Sequence, residues 1–317
     1  MSRPKLSLIL PVFNEEAVIP ELGRRLAEFL GPLEVSHEVV FVNDGSKDRS
    51  RELLTQLCQA NTNYKLVSFS RNFGHQLAIT AGVDYARGEA VVVMDADLQD
   101  PPEVVRSMLE KFHEGYDVVY AVRRRREGET LFKRATAALY YRLLRRMVGV
   151  PIPVDAGDFR LMSRKVVLVM RALQETHRFV RGMVCWVGFK QIAVYYDRPN
   201  RFAGETHYPF RKMVRFAIDG ITSFSVVPLR LATWLGMAAG AIAVTVAAWA
   251  TYSQVIGNAL PGWTTLMIAV SLASSAQLLM IGILGEYVGR IYEEVKRRPL
   301  YIVEDEVNTS RDGNEGG

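Results

Sequence analysis

Short apolar runs alternate with helix-like stretches over the first 125 residues. We predict strands at 5–14 (KLSLILPVFN), 37–46 (HEVVFVNDGS), 65–71 (KLVSFSR) and 89–99 (EAVVVMDADLQ), and helices at 15–30, 47–60 and 75–88. Strands that are nearly continuous in Val, Ile and Leu and are separated by helices indicate a mostly parallel sheet with both faces covered. The pattern therefore predicts an α/β domain that binds its ligand at the carboxyl ends of the strands.

A long apolar segment occupies the carboxyl-terminal part of the chain. From Leu231 to Gly285 there is no charged residue and no histidine. Two runs, 229–251 and 264–286, are each long enough to cross a hydrocarbon core about 30 Å thick as a helix. Arg and Lys residues flank the outer ends of the pair, so the positive-inside bias predicts a two-helix transmembrane anchor with both ends cytoplasmic. A helical hairpin buried in a soluble core is the alternative.

Two further stretches, 131–149 and 208–224, place apolar residues at four-residue spacing with Lys and Arg at the borders. Such a stripe suits a helix lying on anionic headgroups, although it also suits a helix packed on the domain's own core. The predicted organisation is a cytoplasmic domain at 1–228, two transmembrane helices within 229–290, and a cytoplasmic tail at 291–317 that is disordered from residue 303. The amino terminus lacks the pattern of a signal peptide.

Charge and cysteine content exclude several classes of protein. The net charge is +5, and the basic residues cluster, as in RRRR at 123–126 and KRR at 296–298. These runs suit anionic lipid better than nucleic acid, because they adjoin apolar stripes and lack aromatic residues for base stacking. Cys58 and Cys185 have no metal-like spacing and are interpreted as reduced thiols.

Three of the four predicted strands end in residues that could contact a ligand. Asp95 and Asp97 come at the end of the fourth strand, and in an extended chain residues two apart lie on the same side, so we expect their carboxylates to converge. Two carboxylates that close repel each other unless a cation lies beside them, and hard oxygen ligands favour Mg²⁺ or Mn²⁺. The second strand ends in VNDGSKD, where Asp44 taken alone suits a turn or a helix cap, and the first ends in LPVFNEE, with Phe13 and Glu15.

Four motifs, LPVFNEE, VNDGSKD, SRNFGHQLAITAG and MDADLQDPPE, resemble those of the inverting glycosyltransferases of family 2. Two more, DAGDFRLMSRK (155–165) and NRFAGETHYPF (200–210), resemble those of the polyprenyl-phosphate glycosyltransferases, such as dolichyl-phosphate mannose synthase and the bactoprenol glucosyltransferases. The resemblance covers nearly the whole chain. It implies a Rossmann-like domain of the GT-A type, two interfacial helices and a two-helix anchor in the cytoplasmic membrane.

The resemblance also implies a reaction and a set of site residues. The reaction is inverting transfer of a hexose, glucose from UDP-glucose, to undecaprenyl phosphate, with Mg²⁺ or Mn²⁺ as the cofactor. Nucleotide-sugar contacts fall on Pro11, Phe13, Glu15, Asp44, Arg71 and Asp95; the metal ligands are Asp95, Asp97 and Gln99; catalysis falls on Asp158; and Arg201 and Tyr208 border the site. Arg123 and Arg134 are candidates for the acceptor phosphate, because arginine forks suit phosphate oxygens. The chain departs from many relatives by having His207 in place of a lysine.

Several alternatives stay open at this point. Asp158 either removes the last phosphate proton or only orients an arginine and the sugar. The donor could be GDP-mannose or another UDP-sugar, and the acceptor could differ. A processive polysaccharide synthase lacks support, because neither extra membrane helices nor its acceptor motif is present, and a non-catalytic scaffold would be expected to have lost a strand-end carboxylate. Small residues such as Gly236 would permit helix packing in a homo-oligomer.

Overall fold

The structure is a computed structural model, which describes residues 3–124, 156–173, 175–197, 227–256 and 262–309. The chain divides into two compact units. One unit combines Met1–Phe216 with Pro299–Gly317, and the other is Ala217–Arg298. The first carries the sheet and all the candidate chemistry, and the second is a helical hairpin.

Strands and helices alternate through the first unit. The strands are β1 Leu6–Val12, β2 His37–Asn43, β3 Tyr64–Phe69, β4 Ala90–Val93, β5 Val118–Arg123, β6 Ala156–Ser163, β7 Gln191–Tyr196 and β8 Val303–Val307. The helices of this unit are α1 Ile19–Leu30, α2 Ser50–Ala60, α3 His75–Tyr85, α4 Val104–His113, α5 Arg164–Ala172 and α6 Val180–Trp186. All seven elements predicted from the first 99 residues are present, with shorter bounds.

The described strands form one sheet in the order β7-β5-β6-β4-β1-β2-β3-β8. The pairs β1–β2, β2–β3, β1–β4 and β5–β7 are parallel, and β6 and β8 run antiparallel to their neighbours. This confirms the α/β class with a mostly parallel sheet. The chain builds outward from β1 to β3 and then returns to the other side of β1 as β4, so a topological switch point lies between β1 and β4. In open α/β sheets, ligands bind at that point.

The pairing of β1 with β4 stops before β1 ends. It covers Leu6–Ile9, with a final bond from the Met94 N–H to the Ile9 carbonyl oxygen at 3.0 Å, whereas the pairing with β2 continues to Val12. Pro11, which has no amide hydrogen, lies beyond the β4 pairing and leaves no bond to β4 unmade. Beyond Ile9 the two strands are therefore not bonded to each other.

The core has two parts, one on each face of the sheet. One cluster joins α1, α2 and α4 to one face through residues such as Leu8 and Phe41, and a smaller cluster joins α3 to the other through Val40 and Val42. Adjacent strand residues point to opposite faces, which explains why both faces are apolar. Gly82 lets α3 lie directly on β1, because a Cβ there would be 2.1 Å from the Ile9 Cγ2.

The end of the chain contradicts one prediction. We expected residues 303–317 to be disordered, but Val303–Val307 forms β8, antiparallel to β3. Arg51 pairs with Glu304 at 2.9 Å and with Asp305 at 3.2 Å. Local composition misled the prediction, since the segment is acidic and lacks apolar periodicity. Its order comes from pairing with the edge of β3, which no other described strand covers. Residues 310–317 lie outside the described part of the chain.

The second unit contains two long helices, α7 Val227–Val255 and α8 Trp263–Val295. Among the described residues, one helical stretch, Leu272–Val295, is long and apolar enough to cross a membrane, and the apolar stretch Ala232–Val246 is shorter. The helices were thus predicted correctly, and their role as a two-helix anchor stays a proposal. The predicted interfacial helices at 131–149 and 208–224 fall outside the described residues.

Gly236, considered above for packing between copies of the chain, has a neighbour within its own hairpin. A Cβ at this position would lie 2.9 Å from the Sδ of Met280 on α8. The glycine therefore allows α7 and α8 to approach each other closely, as small residues do between membrane helices. An oligomer is not needed to explain it.

Candidate active site

The acidic turn after β4, Asp95–Asp100, lies at the switch point. β4 ends at Val93, so the extended strand predicted to residue 99 was wrong. The predicted convergence of Asp95 and Asp97 does not rest on strand geometry, although the charge of Asp97 acts on Asp95. Carboxylates close the turn: the Asp97 Oδ1 accepts a bond from the Gln99 N–H at 3.1 Å, and the Asp100 Oδ2 accepts one from the Asp95 N–H at 3.2 Å. Leu98 takes the left-handed conformation, with φ of 62°. Short acidic side chains compete with the strand by bonding to nearby amides.

Asp100 is a site residue that the sequence analysis missed. Its side chain is buried, and the hydroxyl of Tyr196, the last residue of β7, donates to its Oδ1 at 2.9 Å. Burial, together with the negative charge of Asp95, raises the pKa of the Asp100 carboxyl to about 7. Asp100 therefore holds the shape of the acidic turn through two uncharged donors, the Tyr196 hydroxyl and the Asp95 amide. The contact joins residues 96 positions apart, which no local pattern predicts.

Strand register brings Asp158 to the same place. β6 runs antiparallel to β4 with Val93 opposite Arg160, so Asp158, two residues earlier on β6, is level with Asp95, two residues later along the other strand. The Asp158 side chain is only 8% exposed. The residue that the resemblance assigns to catalysis thus lies beside the acidic turn.

Asp158 has three basic neighbours that the sequence analysis did not identify, of which Arg160 is the most distant at 4.0 Å. Arg181, on α6, donates from Nε to Oδ1 at 2.9 Å and from its terminal nitrogen to Oδ2 at 3.1 Å. His75, the first residue of α3, places Nε2 3.3 Å from Oδ2. Burial alone would raise the pKa of Asp158, but Arg181 and His75 hold it well below its usual range. The carboxylate is therefore ionised and held at both oxygens.

His75 also joins Asp158 to the acidic turn. Its Nε2 lies 3.6 Å from the Asp95 Oδ1, so one imidazole lies between the two carboxylates. Burial opposes protonation, yet the hydrogen bond with Asp158 and the negative charge of Asp95 raise the pKa of His75. The Asp95 pKa is itself raised, by burial and by the charges of Asp158 and Asp97. Negative charge is thus concentrated around Asp95, which makes its own ionisation less favourable.

The acidic turn offers hard oxygen donors for a divalent cation. In the described residues there is no group of three or more His, Cys, Asp or Glu side chains arranged to hold a metal. Mg²⁺ does not need one, because it commonly binds through one or two carboxylates and completes its shell with water and substrate phosphate. Asp95 and Asp97, with the amide oxygen of Gln99, fit that donor set, and a cation would relieve the repulsion that raises the Asp95 pKa.

Asp44, on the β2 side of the cleft, holds the loop before α3. Its carboxylate accepts bonds from the Phe73 N–H at 2.7 Å, the Gly74 N–H at 3.0 Å and the side-chain amide of Asn72 at 3.0 Å. Burial raises the pKa of Asp44 against these bonds. The helix-cap role that its sequence position suggested was wrong, because the N-termini of α2 and α3 have no side-chain cap and the carboxylate instead holds a loop distant in sequence. Contact with a base stays a prediction.

The loops after β1 and β2 are bonded to each other. The Glu15 N–H donates to the Ser50 Oγ at 2.9 Å, and the Lys47 N–H donates to the Asn14 Oδ1 at 2.8 Å. Phe13 stands at the mouth with 43% of its surface exposed, and Pro11 lies buried behind it. The residues expected to hold the nucleobase and ribose are therefore grouped at the carboxyl end of β1, with Phe13 available to a ligand.

The remaining candidates divide between the site and the part of the chain outside the described residues. Arg123 ends β5 and hydrogen-bonds to Tyr196, which places it beside the partner of Asp100. Arg71 lies on the loop that Asp44 holds, with its guanidinium carbon 3.9 Å from the Phe73 ring centroid. Arg134, Arg201, Tyr208 and the divergent His207 lie outside the described residues.

Comparison with known proteins places this site in a family. Residues 7–169, about half of the chain, match the model of the family described as Glycosyl transferase family 2. The match spans β1 to α5 and so includes the acidic turn and Asp158.

Two curated relatives match over almost the full length. The "Uncharacterized glycosyltransferase YkcC" of Bacillus subtilis (strain 168) is 52% identical over 299 residues, which are 94% of this chain and 93% of that protein. The "Prophage bactoprenol glucosyl transferase homolog" of Escherichia coli (strain K12) is 40% identical over 300 residues, covering 94% and 98%.

A solved structure resembles the chain more distantly. Glucosyl-3-phosphoglycerate synthase from Mycobacterium tuberculosis, in complex with Mn²⁺, UDP-glucose and phosphoglyceric acid, is 20% identical, with a TM-score of 0.45. The alignment covers 69% of this chain and 79% of that one. At this distance the likeness carries no detail of the site.

Proposed function

The chain belongs to glycosyl transferase family 2, and from this premise we propose that it transfers glucose from UDP-glucose to the phosphate of a polyprenyl lipid, with inversion at the anomeric carbon. The protein is a glycosyltransferase. The lipid acceptor and the hexose are supported by relatives about 40% identical whose names include bactoprenol glucosyl transferase. Undecaprenyl phosphate is the proposed acceptor.

The observation that carries the proposal is the meeting of Asp95 and Asp158 at the switch point. Asp95 belongs to an oxygen-rich turn suited to a cation and a diphosphate, whereas Asp158 is paired with Arg181 and His75. One side of the site therefore suits the leaving group and the other has cationic groups for an incoming anion. A single displacement with inversion needs the leaving group and the attacking phosphate on opposite sides of the anomeric carbon.

The leaving diphosphate is the group that needs stabilisation. A divalent cation held by Asp95, Asp97 and Gln99 would act as a Lewis acid on the diphosphate oxygens. The chain's own contribution is to present these oxygens, since Asp100 and the Gln99 amide hold the turn in shape. Phe13, Pro11 and Glu15, with the loop held by Asp44, would bind the base and ribose.

Asp158 is proposed to orient the acceptor side and not to remove a proton. A carboxylate whose pKa lies well below its usual range is a weak base, and both its oxygens already receive bonds from Arg181 or His75. A phosphate monoester is largely anionic near neutral pH and does not require a strong base. Arg181, fixed by the bidentate pair, would then guide the phosphate towards the anomeric carbon, together with Arg123.

The lipid acceptor accounts for the second unit. We propose that α7 and α8 anchor the protein in the cytoplasmic membrane with both ends cytoplasmic, and that 131–149 and 208–224 lie on the headgroups. The span Leu272–Val295 and the apolar stretch Ala232–Val246 support the anchor. Such an anchor would keep the enzyme at the membrane, where the phosphate of a lipid that cannot leave the bilayer is found.

The direct test is transfer to lipid by the full-length protein in vesicles that contain undecaprenyl phosphate. Labelled UDP-glucose, UDP-galactose, UDP-N-acetylglucosamine and GDP-mannose would be compared with Mg²⁺, with Mn²⁺ and with EDTA. We expect lipid-linked glucose from UDP-glucose, dependent on metal and reduced about a thousandfold in Asp95→Asn.

Glu28→Gln is the matched control, because it removes one carboxylate from the exposed face of α1 and should leave the rate unchanged. Product from another donor would replace glucose in the proposal. Transfer that persists in EDTA would overturn the metal site, and no lipid product from any donor would overturn the acceptor.

A further inference from the structure

A continuous stack of side chains connects the end of the chain to the loop before α3. The ring of Tyr301 stacks on Phe69 with centroids 5.0 Å apart and an interplanar angle of 21°. Phe69 meets Phe73 edge to face at 5.6 Å, and the Arg71 guanidinium lies over Phe73 at 3.9 Å. Four side chains from two distant parts of the sequence thus form one row that ends at Arg71.

Tyr301 is held in place by its own contacts. Its hydroxyl donates to the Asp84 Oδ2 on α3 at 2.8 Å, and the next residue, Ile302, accepts a bond from the Ser70 N–H at 3.0 Å. β8 begins directly afterwards at Val303 and extends the sheet beyond β3. The ring is therefore a fixed part of the first unit, although it lies only a few residues after α8 in the sequence.

The loop that carries Arg71 is fixed on its other side by the turn after β2. Asp44 accepts bonds from the amides of Phe73 and Gly74, and the two loops touch at Gly45. A Cβ at Gly45 would lie 2.3 Å from the Arg71 carbonyl carbon, and Gly45 has a φ of 65°. These bonds hold the backbone at 73 and 74, whereas the Arg71 guanidinium is held by packing over the Phe73 ring and by a bond from its Nη1 to the Asn72 carbonyl oxygen at 3.1 Å.

We propose that Tyr301 is a positioning residue for nucleotide binding, acting through Phe69 and Phe73 on Arg71. The segment that follows the helical hairpin thereby completes the nucleotide side of the site. This inference rests on the proposed function, in which Arg71 seats the nucleotide. Its physical basis is that a stacked ring and a cation over a ring each restrict the side chain they touch.

The experiment measures binding of UDP with Mg²⁺ to the full-length protein by titration calorimetry, with GDP as the second probe. We expect Tyr301→Ala to weaken UDP binding by roughly three- to tenfold, the size of one aromatic contact. The KM for the donor should rise by the same factor, while kcat and the KM for the lipid stay near the wild-type values. Tyr301→Phe keeps the stack and loses only the bond to Asp84, so it should restore most of the affinity.

Arg51→Ala is the matched control. It removes the exposed ion pairs that join α2 to β8 but leaves the aromatic row intact, so UDP affinity should not change. If Tyr301→Ala does not fold, Tyr301→Leu carries the test, because it removes the ring that stacks on Phe69 and keeps an apolar side chain in its place.

The outcomes separate this inference from the proposed function. A folded Tyr301→Ala protein that binds UDP like the wild type overturns the inference and leaves the proposed function standing. So does an equal loss in Arg51→Ala, which would show that attachment of β8 matters and the stack does not. A wild-type protein that binds neither UDP nor GDP overturns the proposed function, and this inference with it.

Discussion

Two buried carboxylates flank Asp95, and they differ in the charge of their partners. Asp100 meets a tyrosine hydroxyl and a backbone amide, and its pKa is raised to about 7 by burial and by Asp95. Asp158 meets Arg181 and His75, and its pKa falls well below the usual range despite burial. Neutral partners suit a group that shapes a turn in either protonation state, whereas charged partners fix a permanent negative charge. The difference indicates that Asp158 supplies a fixed negative charge that orients its cationic partners, whereas Asp100 fixes the shape of the acidic turn.

Substitution of each carboxylate by its amide should separate the two roles most strongly. We expect Asp158→Asn to lower kcat for sugar transfer about 100- to 1000-fold, because Arg181 loses the fork that orients it. Asp100→Asn should lower kcat by about tenfold or less, since an amide can still bond to Tyr196 and to the Asp95 N–H. The measurement is transfer to undecaprenyl phosphate at saturating donor, with thermal unfolding as the check on folding.

Variants of Arg181 decide whether Asp158 acts through it. If it does, Arg181→Lys should lower kcat for sugar transfer nearly as much as Asp158→Asn does, because lysine keeps the charge but not the bidentate geometry. Adding Arg181→Ala to Asp158→Asn should then cost little more. A near-normal rate in Arg181→Lys would favour a direct chemical role for Asp158, and similar losses in the two amide variants would remove the distinction between them.

The regular half of this site follows from sequence pattern. Apolar runs predict β1 to β4, and parallel strands place their carboxyl ends together, so the neighbourhood of Asp44 and Asp95 was predictable. The local shape was not, because the strand before Asp95 ends at Val93 and side-chain bonds close the turn. A two-residue period indicates which side a strand residue faces but not where the strand stops.

The irregular half depends on residues later in the chain that pack beside β1 to β4. Asp158 was found only by resemblance, and its partner Arg181 is 23 residues away on a short helix with no signal of its own. Asp100 needs Tyr196 from the edge strand β7, and Tyr301 needs the unpaired edge of β3. Each of these contacts is fixed by sheet order and register, which local propensity does not contain.

The two carboxylates should also affect stability in different pH ranges. Asp100 has a folded pKa near 7, above the ordinary value of about 3.9, so the folded state binds more protons between these values and the free energy of unfolding falls as pH rises through this window. Asp158 has a lowered pKa, and its contribution is lost only as pH falls below about 4. Thermal unfolding in EDTA from pH 5 to 8 should therefore show a decline for the wild type that is smaller in Asp100→Asn. An identical decline in both proteins would contradict the assignment to Asp100.

Loss of the Tyr196 hydroxyl should give the smallest effect and the most specific one. Tyr196→Phe removes the hydroxyl's hydrogen bond to Asp100, worth about 1 kcal/mol, together with its bond to Arg123, and leaves the ring packed against Phe159. Since Asp100 holds the Asp95 amide, we expect the Mg²⁺ concentration for half-maximal transfer to rise about fivefold while kcat at saturating Mg²⁺ changes little. Tyr195→Phe, on the exposed side of the same strand, is the control and should behave as the wild type. If Tyr196→Phe instead lowered kcat and left the Mg²⁺ requirement unchanged, the hydroxyl would act on the reacting groups, through Asp100 or through Arg123, and not on the shape of the turn.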